Sequence, residues 1–218
     1  MKRTILLFFS LTILLSACIN KDCREHGNYN FEIPATLFPA QDSFHIGDTI
    51  KITSIFPDDV FDLTTEEYYK LENFNFFPGT ELVKIDTNPA SEGLSDFIII
   101  IPSEMNYAKQ TFSEGEQLLV GEYLYDNNQY SLEFSLIPLK TGLYYMEQTT
   151  FVELSEDQDF EGKCDRLSSG SSVNLNDGSD NNFNLLYQSP DSHYSSWITS
   201  KPNVRFHRFG GYCFYVVE

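Results

Sequence analysis

Basic residues are scarce in this sequence of 218 residues. Lys and Arg together number 14, against 32 Asp and Glu, and the formal net charge is −18. A surface of that sign repels the phosphates of nucleic acid and the headgroups of anionic lipid. The composition therefore predicts that nucleic acid is not a partner.

Known catalytic motifs are also missing. The sequence has no HExxH, GxSxG, SxxK, Walker-type, GxGxxG or CxxC string. Carboxylate pairs of the glycosidase type meet only in three dimensions, so the sequence identifies none. We expect no catalytic residues and no cofactor. The histidines are scattered without the paired spacing of a zinc site, and they are His26, His45, His193 and His207.

The N-terminus carries a long apolar run. A basic start, "MKR", precedes a mostly apolar segment from Thr4 to Leu15, and the small residues Ser16 and Ala17 follow. This order predicts a secretory signal, which is too short for a membrane-spanning helix. The string "LSAC", which ends at Cys18, is similar to the lipobox of bacterial lipoproteins.

The lipobox resemblance implies that residues 1–17 are removed and that Cys18 is acylated as the first mature residue. The alternative is an ordinary cleaved signal with a coincidental cysteine. Two or three acyl chains hold a protein stably on a membrane, as a single chain does not. The mature chain would carry 12 basic and 32 acidic residues, a charge of about −20. Residues 18–30 are polar and aperiodic and predict a lipidated tether.

The membrane is inferred from the residue after the lipobox. Asp at that position retains lipoproteins at the inner membrane in the common sorting rule, and this sequence has Ile19. We therefore expect a lipid anchor in the outer membrane. The following "NKDCRE" partly resembles the surface-export signals of Bacteroidetes-type lipoproteins, so the periplasmic and the surface-facing orientations both stay open.

Three thiols remain after lipidation of Cys18, and three pairings are possible among Cys23, Cys164 and Cys213. The compartment is oxidising, which favours a disulfide. We predict Cys164 with Cys213, because both belong to the C-terminal region and Cys23 lies on the tether. A catalytic thiol is disfavoured, because no histidine stands near a cysteine in a known nucleophile signature.

Strand patterns dominate the middle of the chain. Phe (19) and Tyr (13) are abundant, and alternating apolar positions recur between short turn signals. Asp126 to Asn128 predict a hairpin turn between two alternating runs. The run Ile98 to Ile101 predicts a central strand that is buried on both faces. "LTTEEYYKLENF", residues 63–74, predicts a short helix.

The string "FHIGDTI", from Phe44 to Ile50, resembles the opening strand of small Bacteroidetes-type lipoproteins with immunoglobulin-like sandwiches. The resemblance covers one strand–turn–strand unit. It agrees with the number of predicted strands, for which a Greek-key sandwich is the natural closure. The expected fold class is all-β, mainly antiparallel: an immunoglobulin-like Greek-key β-sandwich with one or two short helices and a long acidic loop.

The C-terminal third combines a polar stretch, a helix and an apolar end. Residues 155–182 predict a loop or linker, and Ser189 and Pro190 predict the start of a short amphipathic helix. We expect one sandwich domain over residues 31–218, with an excursion at about residues 155–200; two small domains are the alternative. The helix would bury one face formed by Tyr194, Trp197 and Ile198.

The last residues, "YCFYVV", are too apolar for a free end and predict a strand within a sheet. Alternation places Phe214 and Val216 on one face of this strand. It places Cys213, Tyr215 and Val217 on the other.

One acidic segment resembles an EF-hand calcium loop. "DQDFEGKCDRLS" supplies oxygen ligands at four positions and a glycine at the sixth, but Ser168 replaces the bidentate Glu and no flanking helices are evident. The alternative is a solvated acidic loop, and we expect no metal. The candidate ligands are Asp157, Asp159, Glu161 and Asp165.

These expectations describe a non-catalytic lipoprotein of the cell envelope that acts as an interaction or scaffold module. The alternative is a carbohydrate-binding or glycan-processing surface lipoprotein, because Tyr and Phe on a sandwich face can stack on sugars. An acidic hydrolase is a third interpretation. A row of exposed aromatic residues on one face would favour the carbohydrate interpretation.

Overall fold

The computed structural model describes residues 29–153 and 169–218, which form two packed β-sheets. The strands follow one another along the chain as β1 (Tyr29–Phe38), β2 (Ser43–His45), β3 (Ile50–Pro57), β4 (Asp59–Asp62), β5 (Glu67–Lys70), β6 (Asn75–Lys84), β7 (Ser91–Glu92), β8 (Phe97–Ile100), β9 (Tyr107–Thr111), β10 (Gln117–Gly121), β11 (Leu124–Asp126), β12 (Gln129–Pro138), β13 (Gly142–Glu153), β14 (Ser169–Leu175) and β15 (Tyr212–Val217).

Sheet I has the strand order β11-β12-β3-β1-β4-β5, with β8 on β12 and β14 on β1. Sheet II has the order β2-β15-β13-β6-β10-β9, with β7 on β6. The pairs are antiparallel except β1 with β14 and β15 with β2. The predicted all-β, mainly antiparallel sandwich is confirmed.

The main core fills the space between the sheets. Strand β12 shows how the sequence builds it, because every second residue from Tyr130 to Leu136 is fully buried and the residues between them are partly exposed. That period of two places the apolar side chains on one face of a strand. A buried hydrogen bond also lies in this core, since the hydroxyl of Tyr123, in the link between β10 and β11, donates to Ser54 Oγ of β3 at 3.0 Å.

A second, smaller core lies outside sheet II. Short helical segments between β14 and β15 cover part of its outer face, and we call residues 183–207 the helical cap. The cap buries Phe206 and Leu186 against Tyr145 of the sheet. The helical segments are the 3₁₀ turns Leu94–Asp96, Ser113–Gly115, Asn176–Gly178 and Phe183–Gln188 and the π-helical turns His193–Ile198 and Asn203–His207.

The predicted C-terminal strand is confirmed as β15, which pairs with β13 and with β2. The two faces of β15 contribute side chains to different cores. Phe214 and Val216 point into the main core, whereas Cys213 and Tyr215 face the cap. The side-chain alternation predicted for this strand is therefore correct. The predicted hairpin turn is also confirmed, because Asn127 and Asn128 have φ angles of 50° and 61°.

The helix predicted over residues 63–74 is wrong. The segment forms the β4–β5 hairpin instead. The carboxylate of Asp62 accepts the backbone N–H of Asn30 at 2.5 Å and that of Thr65 at 2.9 Å. These bonds hold the chain in a turn against β1, so Thr65 does not cap a helix.

The run Ile98 to Ile101 does not form a central strand, and that prediction is also wrong. In the described chain β8 pairs with β12 alone, and the side chains of Ile98 and Ile100 are each 49% exposed. The sequence pattern is apolar on both faces, but one face of β8 lies on the surface of sheet I.

The C-terminal region differs from its prediction in two places. The excursion contains strand β14, which pairs in parallel with β1 along seven residues. The helix begins at His193, after Ser189, whose hydroxyl donates to the Ile85 carbonyl at 2.6 Å. Tyr194 and Ile198 are buried as expected, but Trp197 is 51% exposed.

Candidate functional site

Most of the predicted site residues lie outside the described residues. Cys213 is described and is fully buried in the second core. Burial, followed by the negative charge of Asp180, raises the pKa of its thiol well above the usual value. Its pairing with Cys164 stays a prediction. The predicted positions outside the described ranges are Cys18, Asp157, Asp159, Glu161, Cys164 and Asp165.

The described histidines lie apart from one another. The ring of His193 stacks on Trp197 with centroids 4.9 Å apart, and Nδ1 of His45 is 2.5 Å from the backbone oxygen of Glu218. Within residues 29–153 and 169–218, no three His, Cys, Asp or Glu side chains are grouped so as to hold a metal ion. Over the same ranges, no helix has the length and apolarity needed to span a membrane.

The outer face of sheet II changes character along the β6–β13 ladder. At one end Val83 pairs with Tyr145, and both are buried under the helical cap. Two registers further on, Glu81 pairs with Glu147. At the far end Phe77 pairs with Phe151, beyond the cap. In the part of the chain that the structure describes, the face is therefore half covered and half open.

The open half is an elongated groove of about 580 Å³. Strands β6, β9, β10 and β13 form its floor and walls, because their outward residues meet in cross-strand rows. The lining residues are Phe77, Pro78, Gly79, Asn106, Ala108, Gln110, Leu118, Val120, Gly121, Glu122, Thr149, Thr150 and Phe151. We call this surface the sheet II groove.

Two phenylalanines form the aromatic part of the groove. The rings of Phe77 and Phe151 are 6.3 Å apart between centroids and inclined by 25°. Phe151 is 58% exposed. An exposed, offset-stacked aromatic pair offers a broad apolar surface at low entropic cost, which is typical of binding sites.

A glycine allows two segments of the groove wall to lie close together. Gly121 ends β10 opposite Tyr107 of β9. A Cβ on Gly121 would come within 1.9 Å of the backbone oxygen of Asn106. Only glycine therefore allows the loop at Asn106 to approach the strand so closely, and the loop closes one wall of the groove.

A pair of carboxylates marks the boundary between the covered and open halves. Burial, together with the nearby charges of Glu147, Glu92 and Glu116, raises the pKa of Glu81 to about 7. Burial also raises the pKa of Glu147, although the Tyr145 hydroxyl donates a hydrogen bond to this carboxylate at 3.0 Å. Like charges opposite each other on adjacent strands repel, so this pair disfavours both being ionised.

Sequence reasoning missed the groove. Its residues come from four strands that are brought together only by register, so no spacing in the chain reveals them. One local signal was present: in "NFNFFPG" the adjacent residues Phe76 and Phe77 must point to opposite faces of a strand. Phe76 fills the main core, and Phe77 is the apolar residue left on the outer face.

Comparisons with known proteins give no close relative. No protein-family model matches the sequence, and no characterised protein matches it. Solved structures that match this chain include the human F-spondin reeler domain, at 10% identity and a TM-score of 0.32 over 63% of this chain and 90% of that domain. A type II cohesin dyad of the ScaA scaffoldin of Acetivibrio cellulolyticus matches at 12% identity and a TM-score of 0.32, over 65% of this chain and 46% of that chain. A non-cellulosomal cohesin of Archaeoglobus fulgidus matches at 9% identity and a TM-score of 0.27, over 68% of this chain and 91% of that chain. At these scores the likeness carries no information on function.

Proposed function

We propose that this protein is a lipid-anchored, non-catalytic interaction module of the bacterial cell envelope, which binds a protein partner through the sheet II groove. The observation that carries the proposal is the open half of the sheet II face. Among the described residues, the cap covers one end of that face, and no element packs on the Phe77–Phe151 pair at the other end.

The uncovered aromatic surface supports a binding role because it has an energetic cost. Exposed apolar area is disfavoured by roughly 25 cal/mol per Å² relative to buried area, so an apolar patch on a soluble surface commonly marks an interaction site. Around the two rings, Asn106, Gln110 and Thr149 supply hydrogen-bonding groups. An apolar centre with a polar rim is the usual arrangement of a protein interface.

The charge of the groove indicates the chemistry of the partner. Glu122 is the one charged residue among those that line the groove, and Glu81 and Glu147 adjoin it on the same face. The whole chain carries a net charge of −18. We expect the partner to present a basic segment with apolar side chains, since opposite charge speeds association and excludes acidic competitors.

The groove's chemistry also supports a non-catalytic role. The hydroxyls among its lining residues belong to Thr149 and Thr150, and no histidine or lysine lies among them to act as a base. The one carboxylate there is Glu122, but the Thr149 hydroxyl donates to the Gly79 carbonyl and the Thr150 hydroxyl lies at Tyr123. Thr150 accompanies Tyr123 and Ser54 in the buried contact between the sheets. These groups hold the sandwich together and do not form a nucleophile–base pair.

The lipid anchor rests on the sequence "LSAC". Acylation of Cys18 would hold the module in the outer membrane through a short tether. Replacing the residue (Cys18→Ser) is expected to abolish labelling with radioactive palmitate and to leave an unanchored precursor. Labelling of the variant at the wild-type level would contradict the anchor, and it would leave the groove proposal standing.

Site-specific photocrosslinking in cells tests the groove. Benzoylphenylalanine at Gln110, inside the groove, is expected to crosslink a defined envelope protein, whereas the same group at Thr36, on the outer face of sheet I, is not. Phe151→Ala combined with Glu122→Lys should weaken the Gln110 crosslink by about tenfold or more, because a central aromatic and a complementary charge are both removed.

Two results would contradict the groove proposal. One is equal crosslinking from Gln110 and Thr36, which would indicate nonspecific proximity. The other is a Gln110 crosslink that Phe151→Ala with Glu122→Lys leaves unchanged. Raising the salt concentration should weaken the wild-type crosslink more than that of the double variant, because exposed charges are screened within about 10 Å at 0.1 M salt.

A further inference from the structure

A second exposed aromatic pair lies on the opposite side of the molecule, on the outer face of sheet I. Phe61 of β4 and Tyr68 of β5 are cross-strand partners, with ring centroids 5.1 Å apart. Tyr68 is 71% exposed. The hairpin that was predicted to be a helix therefore forms an aromatic platform, which we call the Tyr68 platform.

Planar polar side chains border the Tyr68 platform. A hollow of about 300 Å³ is lined by Phe61 and Tyr68 together with Glu32, Asp59 and Asn174. A neighbouring hollow of about 280 Å³ shares Glu32 and Asn174. The two hollows adjoin at these two residues, and we call the hollow beside the Tyr68 platform the depression.

The polar groups of this depression are held in place. Asn174 Nδ2 donates to Glu32 Oε1 at 2.5 Å across the parallel β1–β14 pair. Lys70 lies opposite Asp59 in the hairpin register but forms its ion pair with Asp58, whose side chain is buried. Glu32 and Asp59 line the depression, where their carboxylate oxygens can accept hydrogen bonds from a ligand.

We propose that the Tyr68 platform and its polar rim form a binding site for a neutral carbohydrate. A pyranose ring has an apolar C–H face and a rim of hydroxyl groups. An exposed aromatic ring matches the first feature, and carboxylates with a neighbouring amide match the second, since each hydroxyl can donate to a charged acceptor. A hollow with few, convergent polar groups beside an apolar wall is the usual form of a small-ligand site.

The charges around the platform select the kind of sugar. Glu32 and Asp59 would lie against the ligand, and the chain as a whole is strongly acidic. Uronic acids, sulfated sugars and phosphates are negatively charged, so carboxylates in contact with the ligand would repel them. Neutral hexoses and pentoses carry no such penalty, so the site should discriminate by charge.

This site is separate from the sheet II groove, because the two occupy the outer faces of different sheets. The carbohydrate proposal does not depend on the protein-partner proposal. Either one can fail alone, since Tyr68→Ala leaves the groove intact and Phe151→Ala leaves the platform intact.

A glycan array tests the platform. The purified full chain is applied to arrayed neutral gluco-, manno-, galacto- and xylo-oligosaccharides, with oligogalacturonides as the anionic comparison. Binding to at least one neutral class and to none of the oligogalacturonides is expected. Tyr68→Ala should reduce that binding by about tenfold or more, and Glu32→Gln by a smaller factor.

Matched variants separate recognition from folding. Tyr187→Ala, which removes an exposed tyrosine from the helical cap, should bind the array as the wild type does. Tyr68→Trp should retain binding, because it keeps an aromatic face. Circular dichroism melts of all variants should agree with the wild type, since Tyr68 is mostly outside the core.

The proposal is overturned by any of three outcomes. In the first, the wild type binds no neutral oligosaccharide at millimolar concentration. In the second, it binds the oligogalacturonides as well as the neutral sugars. In the third, Tyr68→Ala binds as tightly as Tyr187→Ala.

Discussion

The covered and open halves of the sheet II face are built on the same two strands. At the covered end, Tyr145 of β13 lies between Val83 of β6 and Cys213 of β15, and all three are buried. At the open end, Phe151 of β13 lies beside Phe77 of β6, and Phe151 is mostly exposed. Aromatic residues therefore occupy both ends of one ladder, although only one end is covered.

The difference between the halves arises from what the later chain supplies. The helical cap brings Phe206 onto Tyr145, with ring centroids 5.9 Å apart. Gly211 makes room for this ring, because a Cβ there would come within 2.6 Å of Phe206. Within the described residues, no corresponding element is packed on the Phe77–Phe151 pair. The covered aromatic residues stabilise the fold, whereas Phe151 stays mostly exposed.

Removing the C-terminal strand should have the largest effect on both halves. Deletion of residues 209–218 takes away β15, which contributes Phe214 to the main core and Cys213 to the second core. The deletion also removes the buried side chains of Tyr212 and Val216 and the pairing with β13 and β2. Since loss of one buried phenylalanine side chain costs roughly 3–5 kcal/mol, the combined loss is comparable to the 5–15 kcal/mol that typically stabilises a domain. We expect no cooperative unfolding transition in thermal melts followed by circular dichroism.

Deletion of Glu218 alone is the matched control for the strand deletion and should melt close to the wild type. A chain that lacks residues 209–218 but keeps the wild-type melting temperature and remains monomeric would contradict the prediction. It would also favour two small domains, with a first domain complete near residue 154.

A pair of phenylalanine truncations compares the two halves directly. Phe206→Ala, in the covered half, should lower the free energy of unfolding by about 3–5 kcal/mol, because a fully buried ring leaves a cavity. Phe151→Ala, in the open half, should lower it by less than about 1 kcal/mol, in the range of surface substitutions. Urea unfolding followed by tyrosine and tryptophan fluorescence measures both.

In a binding assay, the exposed phenylalanine of this pair should matter although it contributes little to stability. Phe151→Ala is expected to weaken the Gln110 crosslink while leaving the fold intact. Equal losses of stability for Phe206→Ala and Phe151→Ala would show that the open half is part of the core, and the comparison would fail.

The fold was largely predictable from local pattern, because burial on one face of a strand imposes a period of two. Alternation predicted β12 and the two faces of β15, and the two asparagines at 127–128 predicted a turn because their side chains tolerate left-handed backbone. Where local signals had to compete with tertiary contacts, prediction failed. Thr65 and its acidic neighbours resemble a helix cap, but Asp62 directs the segment into a hairpin.

The binding surfaces were not predictable in the same way. Whether Ile98 or Phe151 is covered depends on which element packs against the strand, and the strand's own sequence does not encode that. The groove requires Glu81 to meet Glu147 and Leu118 to meet Gln110, which only the register of distant strands determines. The general expectation of aromatic residues on a sandwich face came from the sequence, but their positions came from the structure.

The smallest expected effect concerns Glu81, at the boundary between the halves. It is measured as a change in the free energy of unfolding with pH. The pKa of Glu81 is about 7 in the folded protein and about 4.5 when the side chain is free. The folded protein binds the Glu81 proton more tightly than the unfolded chain does, so protonation stabilises the fold. This contribution is fully present below pH 4.5. It is lost as the pH rises through 7, because the folded protein must then hold a charged Glu81 that is largely removed from water and lies near Glu147, Glu92 and Glu116. A shift of this size corresponds to on the order of 1–3 kcal/mol after allowance for partial exposure.

Glu81→Gln should therefore leave stability at pH 4.5 nearly unchanged and increase it at pH 8. Urea unfolding at both pH values measures the effect, and Glu153→Gln, which removes an exposed carboxylate at the end of β13, should show no such difference. If the stability of Glu81→Gln and of the wild type fell in parallel between pH 4.5 and pH 8, the facing carboxylates would not be the electrostatic boundary between the covered and the open half.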